Sequence, residues 1–121
     1  MNSAPFVHLR VHSEYSVVDG IARIPDLVKT AAAYQQPALA ITDLANLFGW
    51  IKFYKTARKQ GVKPIAGADL WVENEQDRDK PFRLLVLVMN DQGYLDLCTL
   101  LTQAWLENQY KGRGEVKKDW V

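Results

Sequence analysis

Two histidines, His8 and His12, flank Arg10 near the start of the chain, and Asp19 follows a few residues later. In an extended segment alternate residues point to the same side, so the three side chains converge on one surface. Imidazole nitrogens bind transition metals or, when protonated, phosphate, and a nearby carboxylate could close on the same point. The residues alone leave a second interpretation open, in which the histidines are hydrogen-bonded polar residues without a ligand.

Two further carboxylates, Asp43 and Asp69, are associated with predicted strands. The apolar run 37–41 is typical of a strand buried on both faces, as in parallel sheets, and Asp43 follows its C-terminal end. In α/β domains chemistry is concentrated at this edge of the sheet. Asp69 lies within a second predicted strand, residues 63–72, next to Gly67, where we expect a bulge or a close approach of backbone.

The elements that must position these residues follow from hydrophobic periodicity. An extended, strand-like segment over residues 6–11 presents its polar residues on one face. Helical spacing predicts amphipathic helices over residues 25–35 and 48–60, the second capped by Asn46 and ended by Gly61.

The second half of the chain continues with a strand, residues 82–89, and a helix from residue 92 to about 108 capped by Asp91. The charged segment 73–80 is too short for a helical crossover, which predicts antiparallel pairing of the strands on either side of it. Gly112 and Gly114 mark the exit from the last helix, and the tail 115–121 shows no core pattern. The sequence therefore predicts an α/β domain with a mixed, mostly parallel sheet.

Composition narrows the function classes. A formal charge of +1 gives no overall excess of basic charge for nucleic acid or an anionic membrane. No apolar run approaches the roughly 20 residues of a membrane span, and residues 1–5 do not resemble a secretory signal. The single cysteine, Cys98, fits a reducing compartment, so a cytoplasmic location is expected.

Four segments together resemble one known family. They are residues 8–16 (HLRVHSEYS) with Asp19, residues 38–49 (ALAITDLANLFG), residues 61–69 (GVKPIAGAD) and residues 84–94 (LLVLVMNDQGY). In order and spacing, over about residues 5–110, they resemble the polymerase and histidinol phosphatase (PHP) domain at the N-terminus of bacterial DNA polymerase III alpha subunits. The resemblance implies that residues 1–121 are the first part of a distorted PHP-type (β/α)7 barrel, without the polymerase core.

Active members of the family hold metal ions at the C-terminal ends of the strands and hydrolyse phosphoesters. His12, Asp19 and Asp43 match the implied ligand pattern, and Asp69 stands where many members have glutamate. Three further positions, which the resemblance implies to be histidines, carry Arg10, Leu44 and Arg83.

The replaced residues are unsuited to metal binding. A guanidinium has donors only and stays protonated, and a leucine side chain has no polar atom. Beside an arginine at about 4 Å, a divalent ion meets a repulsion of roughly 8 kcal/mol at an effective dielectric of about 20. We therefore expect no bound metal and no catalytic residue in this chain, and an ion-pair network in which Arg10 and Arg83 neutralise the three aspartates.

The resemblance then implies a non-catalytic, scaffolding part of a replicative polymerase. Its partners would be the remainder of the alpha subunit, a proofreading exonuclease subunit and, through the full-length enzyme, DNA; magnesium would act in the absent polymerase core, and this chain would need no cofactor. Alternatives are an active metal-dependent phosphoesterase, either a 3′–5′ exonuclease or a small-molecule phosphatase, and a free-standing binding module. As part of a barrel the chain would expose strand edges and apolar helix faces, which predicts self-association.

One basic run remains outside this assignment: Lys52, Lys55, Arg58, Lys59 and Lys63. These residues could meet DNA phosphates, but the outer face of an amphipathic helix in water routinely carries such charges. A solvated helix face is the favoured interpretation.

Overall fold

A computed structural model describes residues 6–16 and 19–121. The N-terminal residues 1–5, where no secretory signal is expected, lie outside the described residues. The elements in chain order are α1 (Ile24–Ala33), β1 (Ala38–Ile41), α2 (Trp50–Lys59), β2 (Lys63–Val72), β3 (Phe82–Leu87), α3 (Asp91–Glu107), β4 (Gln109–Tyr110), β5 (Arg113–Val116) and a closing 3-10 turn (Lys118–Trp120).

The sheet is built around β2, which is the partner of three other strands. It pairs in parallel with β1 along residues 63–66 and with β5 at residues 71–72, and antiparallel with β3 along residues 67–72. A short antiparallel hairpin joins β4 to β5. The mixed sheet and the antiparallel β2–β3 pair confirm the predictions from sequence.

The hydrophobic core has two centres, one for each half of the sheet. Around β1, the helices α1 and α2 bury Ile24, Val28 and Phe53 against Leu39 and Ile41. Around the C-terminal half of β2, α3 packs Leu97, Leu101 and Ala104 against Ala68, Leu70, Val72 and Val116. Each helix therefore holds one segment of the sheet in place, as its apolar stripe predicts.

Helix ends and the first segment depart from the predictions. The cap of α3 is Asn90, whose side chain accepts a hydrogen bond from the amide of Gly93 at 2.8 Å, so the assignment to Asp91 was wrong. Asn46 does not cap α2, which begins after Gly49; its side chain instead closes a local turn by accepting from the amide of Phe48. Gly61, with φ of 74°, ends α2 as predicted.

Residues 6–12 run extended beside β1 without forming a regular strand. The carbonyls of His8 and Val11 accept hydrogen bonds from Ala40 and Thr42 at 3.1 and 2.8 Å. Leu9 is exposed, so the two faces are not separated into apolar and polar as alternation predicts.

The prediction that residues 115–121 have no core pattern was wrong for its first two residues, because Glu115 and Val116 are buried in β5.

None of the helices in the described residues, 6–16 and 19–121, has both the length and the hydropathy of a membrane span.

Candidate functional site

Asp69 lies in the middle of β2 with a fully buried side chain. The guanidinium of Arg10 reaches it from the extended N-terminal segment, donating from Nε to Oδ2 at 2.9 Å and from Nη2 to Oδ1 at 2.7 Å. This two-bond geometry is the strongest form of an arginine–carboxylate pair, and it fixes the direction of the guanidinium as well as its charge. Arg10 thus pairs with an aspartate of the site, as predicted.

His12 connects Asp69 to the turn that follows. Its Nε2 is 2.5 Å from Oδ2 of Asp69, and its Nδ1 is 2.7 Å from Oδ1 of Asp19. An imidazole binds a metal through a nitrogen lone pair that faces the ion. Because a carboxylate engages each ring nitrogen, His12 acts here as a bridge between two acidic residues.

Asp43 follows β1 and is buried under the turn formed by residues 13–16. Its Oδ1 accepts from the amide of Ser13 at 2.5 Å and from Oγ of Ser16 at 2.8 Å, and its Oδ2 accepts from Oγ of Ser13 at 2.8 Å. The predicted pairing of Asp43 with an arginine was therefore wrong. Hydroxyl and amide donors satisfy this carboxylate, and they are small enough to be buried with it.

Ser13 and Ser16 are the site residues that the sequence did not reveal. Both are fully buried, and Oγ of Ser16 also accepts from the amide of Leu44 at 2.9 Å. The available signal was their place in the 8–16 motif, on either side of a turn, but neither residue type distinguishes itself there from an ordinary turn residue.

Arg83 is placed at the edge of the site by aromatic stacking. Its guanidinium lies 4.4 Å from the ring centre of Trp71, and its Nη2 is 3.7 Å from Oδ2 of Asp19. Arg83 thus pairs with an aspartate, as predicted, though at longer range than Arg10. Leu44 is buried beside Asp69 and forms an isolated β-bridge with it.

His8 does not join this cluster. It is exposed, packs edge-on against the ring of Phe6 at 4.7 Å between ring centres, and lines a groove beside α1.

Charge and burial act in opposite directions on Asp69. Burial by itself would raise the pKa of its carboxyl, but hydrogen bonds from Arg10 and His12, together with their positive charge, outweigh it and hold the pKa below its usual range. The same contact with Asp69 raises the pKa of Arg10. Both groups are therefore locked in their charged forms at neutral pH.

The metal ions that the PHP resemblance implies do not fit these residues. The oxygens of Asp69 already receive three donated bonds from Arg10 and His12, and those of Asp43 receive three from Ser13 and Ser16. Within residues 6–16 and 19–121, no group of three His, Cys, Asp or Glu side chains could hold a metal ion. The site is an arrangement of satisfied ion pairs and hydrogen bonds.

Comparison with known proteins gives relatives that match nearly the whole chain. It is 44% identical over 116 residues to the DNA polymerase III subunit alpha of Pseudomonas aeruginosa, and 47% identical over 119 residues to that of Pseudomonas fluorescens. These alignments cover 96% and 98% of the chain but 10% of each relative, so the chain spans about a tenth of their length.

The fold is also found in solved structures. An amidohydrolase from Chromobacterium violaceum matches 81% of this chain and 32% of its own with a TM-score of 0.62 at 20% identity. This likeness confirms the predicted α/β fold with a mostly parallel sheet. A family model described as the PHP domain matches residues 8–121. The chain belongs to the PHP domain family.

Proposed function

We propose that this chain is the PHP region of a replicative, DNA-directed DNA polymerase of the polymerase III alpha type, and that it serves that enzyme as a structural part without catalysis of its own. The observation that carries the second half of the proposal is the two-bond pair of Arg10 with the buried Asp69. A fixed guanidinium sits against the carboxylate that a metal ion would need. The names of the alpha-subunit relatives support the first half.

The rest of the assignment follows from that role. The partners are the remainder of the alpha subunit and a proofreading exonuclease subunit, with DNA contacted through the full-length enzyme. The chain needs no cofactor, magnesium acts in a polymerase core outside it, and the location is cytoplasmic. Gel filtration of the full-length subunit with the exonuclease subunit tests the docking role directly, because the proposal requires the two to elute together.

Metal content tests the absence of catalysis. Purified protein is incubated with manganese or zinc, desalted and subjected to elemental analysis, and we expect far less than one ion per chain. Stoichiometric retention, together with manganese-stimulated release of nucleotides from single-stranded DNA that the change His12→Ala abolishes, would establish the alternative function, a metal-dependent phosphoesterase.

A restored variant sharpens this test. In Arg10→His/Leu44→His/Arg83→His, two fixed positive charges are removed and three imidazoles are added at the positions where the family resemblance implies them. We expect manganese or zinc retention to rise well above that of the parent chain. A matched control places the same three changes on exposed residues elsewhere, Arg23→His/Leu95→His/Arg58→His, and should retain no more metal than the parent.

Thermal denaturation shows whether each of these variants is folded. Arg10→His alone, which leaves the buried Leu44 in place, serves if the triple variant does not fold. Equal retention by the site variant and its control would contradict the assignment of these positions.

A further inference from the structure

A groove of about 730 Å³ opens between α2, the start of β2 and the start of α3. Its lining includes three aromatic side chains, Trp50, Tyr54 and Tyr94. The ring centres of Trp50 and Tyr54 are 5.6 Å apart, and those of Trp50 and Tyr94 are 6.3 Å apart. Tyr54 is 41% exposed, so part of this cluster is open to solvent. We refer to it as the α2 groove.

An arginine, Arg58, lies over the ring of Tyr54. One turn further along α2, the guanidinium of Arg58 lies 5.6 Å from the centre of that ring and its Nη1 donates to Oη of Tyr54 at 3.3 Å. Arg58 is exposed, so the surface presents an aromatic ring with a flat cationic group over it. Planar ligands stack on both kinds of group.

Basic side chains lie along one side of the α2 groove. A second open cavity, lined by Lys55, Arg58 and Lys59, shares Tyr54 with it, and Lys63 lines the groove itself. Lys52, on the same helix, pairs with Glu14 at 3.7 Å, but among the described residues no ion pair engages the other four basic side chains. Asp91 is the acidic residue of the groove lining. The surface therefore carries a local excess of positive charge that the overall charge of +1 conceals.

This surface lies away from the Asp69 cluster. Lys63 and Pro64 pair with Ala38 and Leu39 at the N-terminal ends of β1 and β2, whereas Asp43 follows the C-terminal end of β1. A ligand in the groove would be held by α2 and the start of β2, and it would not need the residues of the Asp69 cluster.

From this combination of exposed ring, stacked guanidinium and unpaired basic side chains we propose that the α2 groove binds single-stranded nucleic acid, with one base stacked on Tyr54 and Arg58 and the neighbouring phosphates on Lys55, Lys59 and Lys63. Sequence-tolerant binding of single strands relies on this pairing of stacking platforms with a basic path for the backbone. An acidic peptide would use the charges but would not need the stacked pair of Tyr54 and Arg58. The inference does not rest on the proposed polymerase role.

The stacking contact is tested by fluorescence anisotropy of a labelled oligothymidylate titrated with the full chain at low salt. We expect Tyr54→Ala to weaken binding by about fivefold or more, since stacking of one base on an aromatic side chain contributes at least that factor. The matched change Tyr54→Phe keeps the ring and removes only the bond to Arg58, so binding should stay within about twofold of the parent. Thermal denaturation of both variants establishes that each is folded.

The charge contribution is tested by salt dependence. Lys55→Ala/Lys59→Ala should weaken binding and reduce the slope of log affinity against log salt concentration by about 1.4, since each phosphate contact on a single strand adds about 0.7. Lys117→Ala/Lys118→Ala removes the same charge from the exposed C-terminal segment and should leave the slope unchanged.

Three results would overturn the proposal. One is the absence of saturable binding of the oligonucleotide by the parent chain. Another is equal binding by the Tyr54→Ala and Tyr54→Phe variants, which would show that no base stacks on the ring of Tyr54. The third is competition by polyglutamate as effective as that by unlabelled oligothymidylate, which would identify the groove as a site for an acidic protein segment.

Discussion

Arg10 neutralises a carboxylate that has no access to water. The side chain of Asp69 is fully buried, whereas that of Arg10 is 52% exposed, so the pair joins an interior anion to a cation at the surface. An ionised carboxyl is costly to bury unless donors surround it. In this chain the donors come from Arg10 and His12, and Arg10 supplies positive charge at the place where the family resemblance implies metal ions.

Removing the guanidinium should therefore destabilise the fold. We expect Arg10→Ala to lower the free energy of unfolding by about 1–3 kcal/mol, because the buried carboxylate loses two of its donated bonds. Urea denaturation followed by circular dichroism measures this. The matched change is Arg23→Ala, whose guanidinium is 70% exposed and 3.7 Å from Glu14, and its effect should stay within about 0.5 kcal/mol. Equal effects of the two changes would mean that Arg10 has no structural role.

Acid should weaken the same pair. Because the pKa of Asp69 is lower in the folded chain than in the unfolded one, its contribution is complete above the unfolded value of about 3.9 and is lost as the pH falls through the lower folded value. Asp69→Asn keeps the shape and removes the titration, so its free energy of unfolding should fall less steeply with acid than that of the parent. Asp26→Asn, on the first turn of α1, is the control and should follow the parent. Parallel curves for the parent and Asp69→Asn would contradict this assignment.

The sequence predicted the arginine–aspartate pairs of the site better than it predicted the hydrogen bonds to Asp43. Arg10 and Arg83 cannot be ligands whatever the fold, and each lies against an aspartate. The donors to Asp43 depend on how tightly the turn at residues 13–16 closes. The residue types in that turn do not predict its geometry. The carboxylate is 3% exposed, so it is served by the amide and hydroxyls of that turn.

Strand β2 pairs with three other strands, and at Gly67 its backbone closely approaches a neighbouring strand. A methyl group added there would lie 2.5 Å from the carbonyl oxygen of Val86 in β3 and 2.9 Å from Cδ2 of Leu87. This confirms the close approach of backbone predicted next to Asp69. Along β2, pairing with β1 ends at residue 66 and pairing with β3 begins at Gly67. Because Gly67 has no side chain, β3 can approach β2 closely at this position.

Filling that space should separate the strands. We expect Gly67→Ala to lower the free energy of unfolding by about 1–3 kcal/mol, because backbone rather than a flexible side chain must move. Gly93→Ala is the matched control: its added methyl would contact nothing nearer than 3.4 Å, and in the first turn of α3 it should be neutral or stabilising by up to about 1 kcal/mol. Thermal denaturation of both variants measures the difference, and an unchanged melting temperature for Gly67→Ala would show that the strands tolerate the methyl.

Hydrophobic periodicity predicted the helices and strands whose own residues form a regular apolar pattern. The bounds of β2 were predicted to the residue, and α1, α2 and α3 to within two residues at each end. The sequence pattern could not reveal β5, because Arg113, Gly114 and Glu115 are not an apolar run. Two arginines pair with the buried Glu115: Arg78, from the segment between β2 and β3, at 3.3 Å, and Arg113, two residues earlier in β5, at 3.0 Å.

In the molecule as a whole, as far as the structure describes it, one edge of the sheet is left uncovered at β3. One edge of β3 pairs with β2, and no strand pairs with its other edge in the part of the chain that the structure describes. On that strand Phe82 is 48% and Leu84 38% exposed. An uncovered apolar edge is a template for pairing with a second copy.

We expect the isolated chain to self-associate through this edge. Sedimentation velocity over a range of concentrations should show the average mass rising with concentration. Leu84→Lys, which places a charge on the edge, should shift the distribution toward the monomer, whereas Leu95→Lys on the outer face of α3 should not. A monodisperse monomer of the parent chain at every concentration would contradict the expectation.

The pairing of Trp71 with Glu115 joins residues that are more than forty positions apart. Closing so long a loop costs chain entropy before any contact compensates for it. We therefore expect the β4–β5 hairpin to dock on β2 late, after α3 has packed against the sheet. Until then the C-terminal end of β2 would lack its β5 partner, and we expect the chain to be most prone to pairing with a wrong strand during that interval.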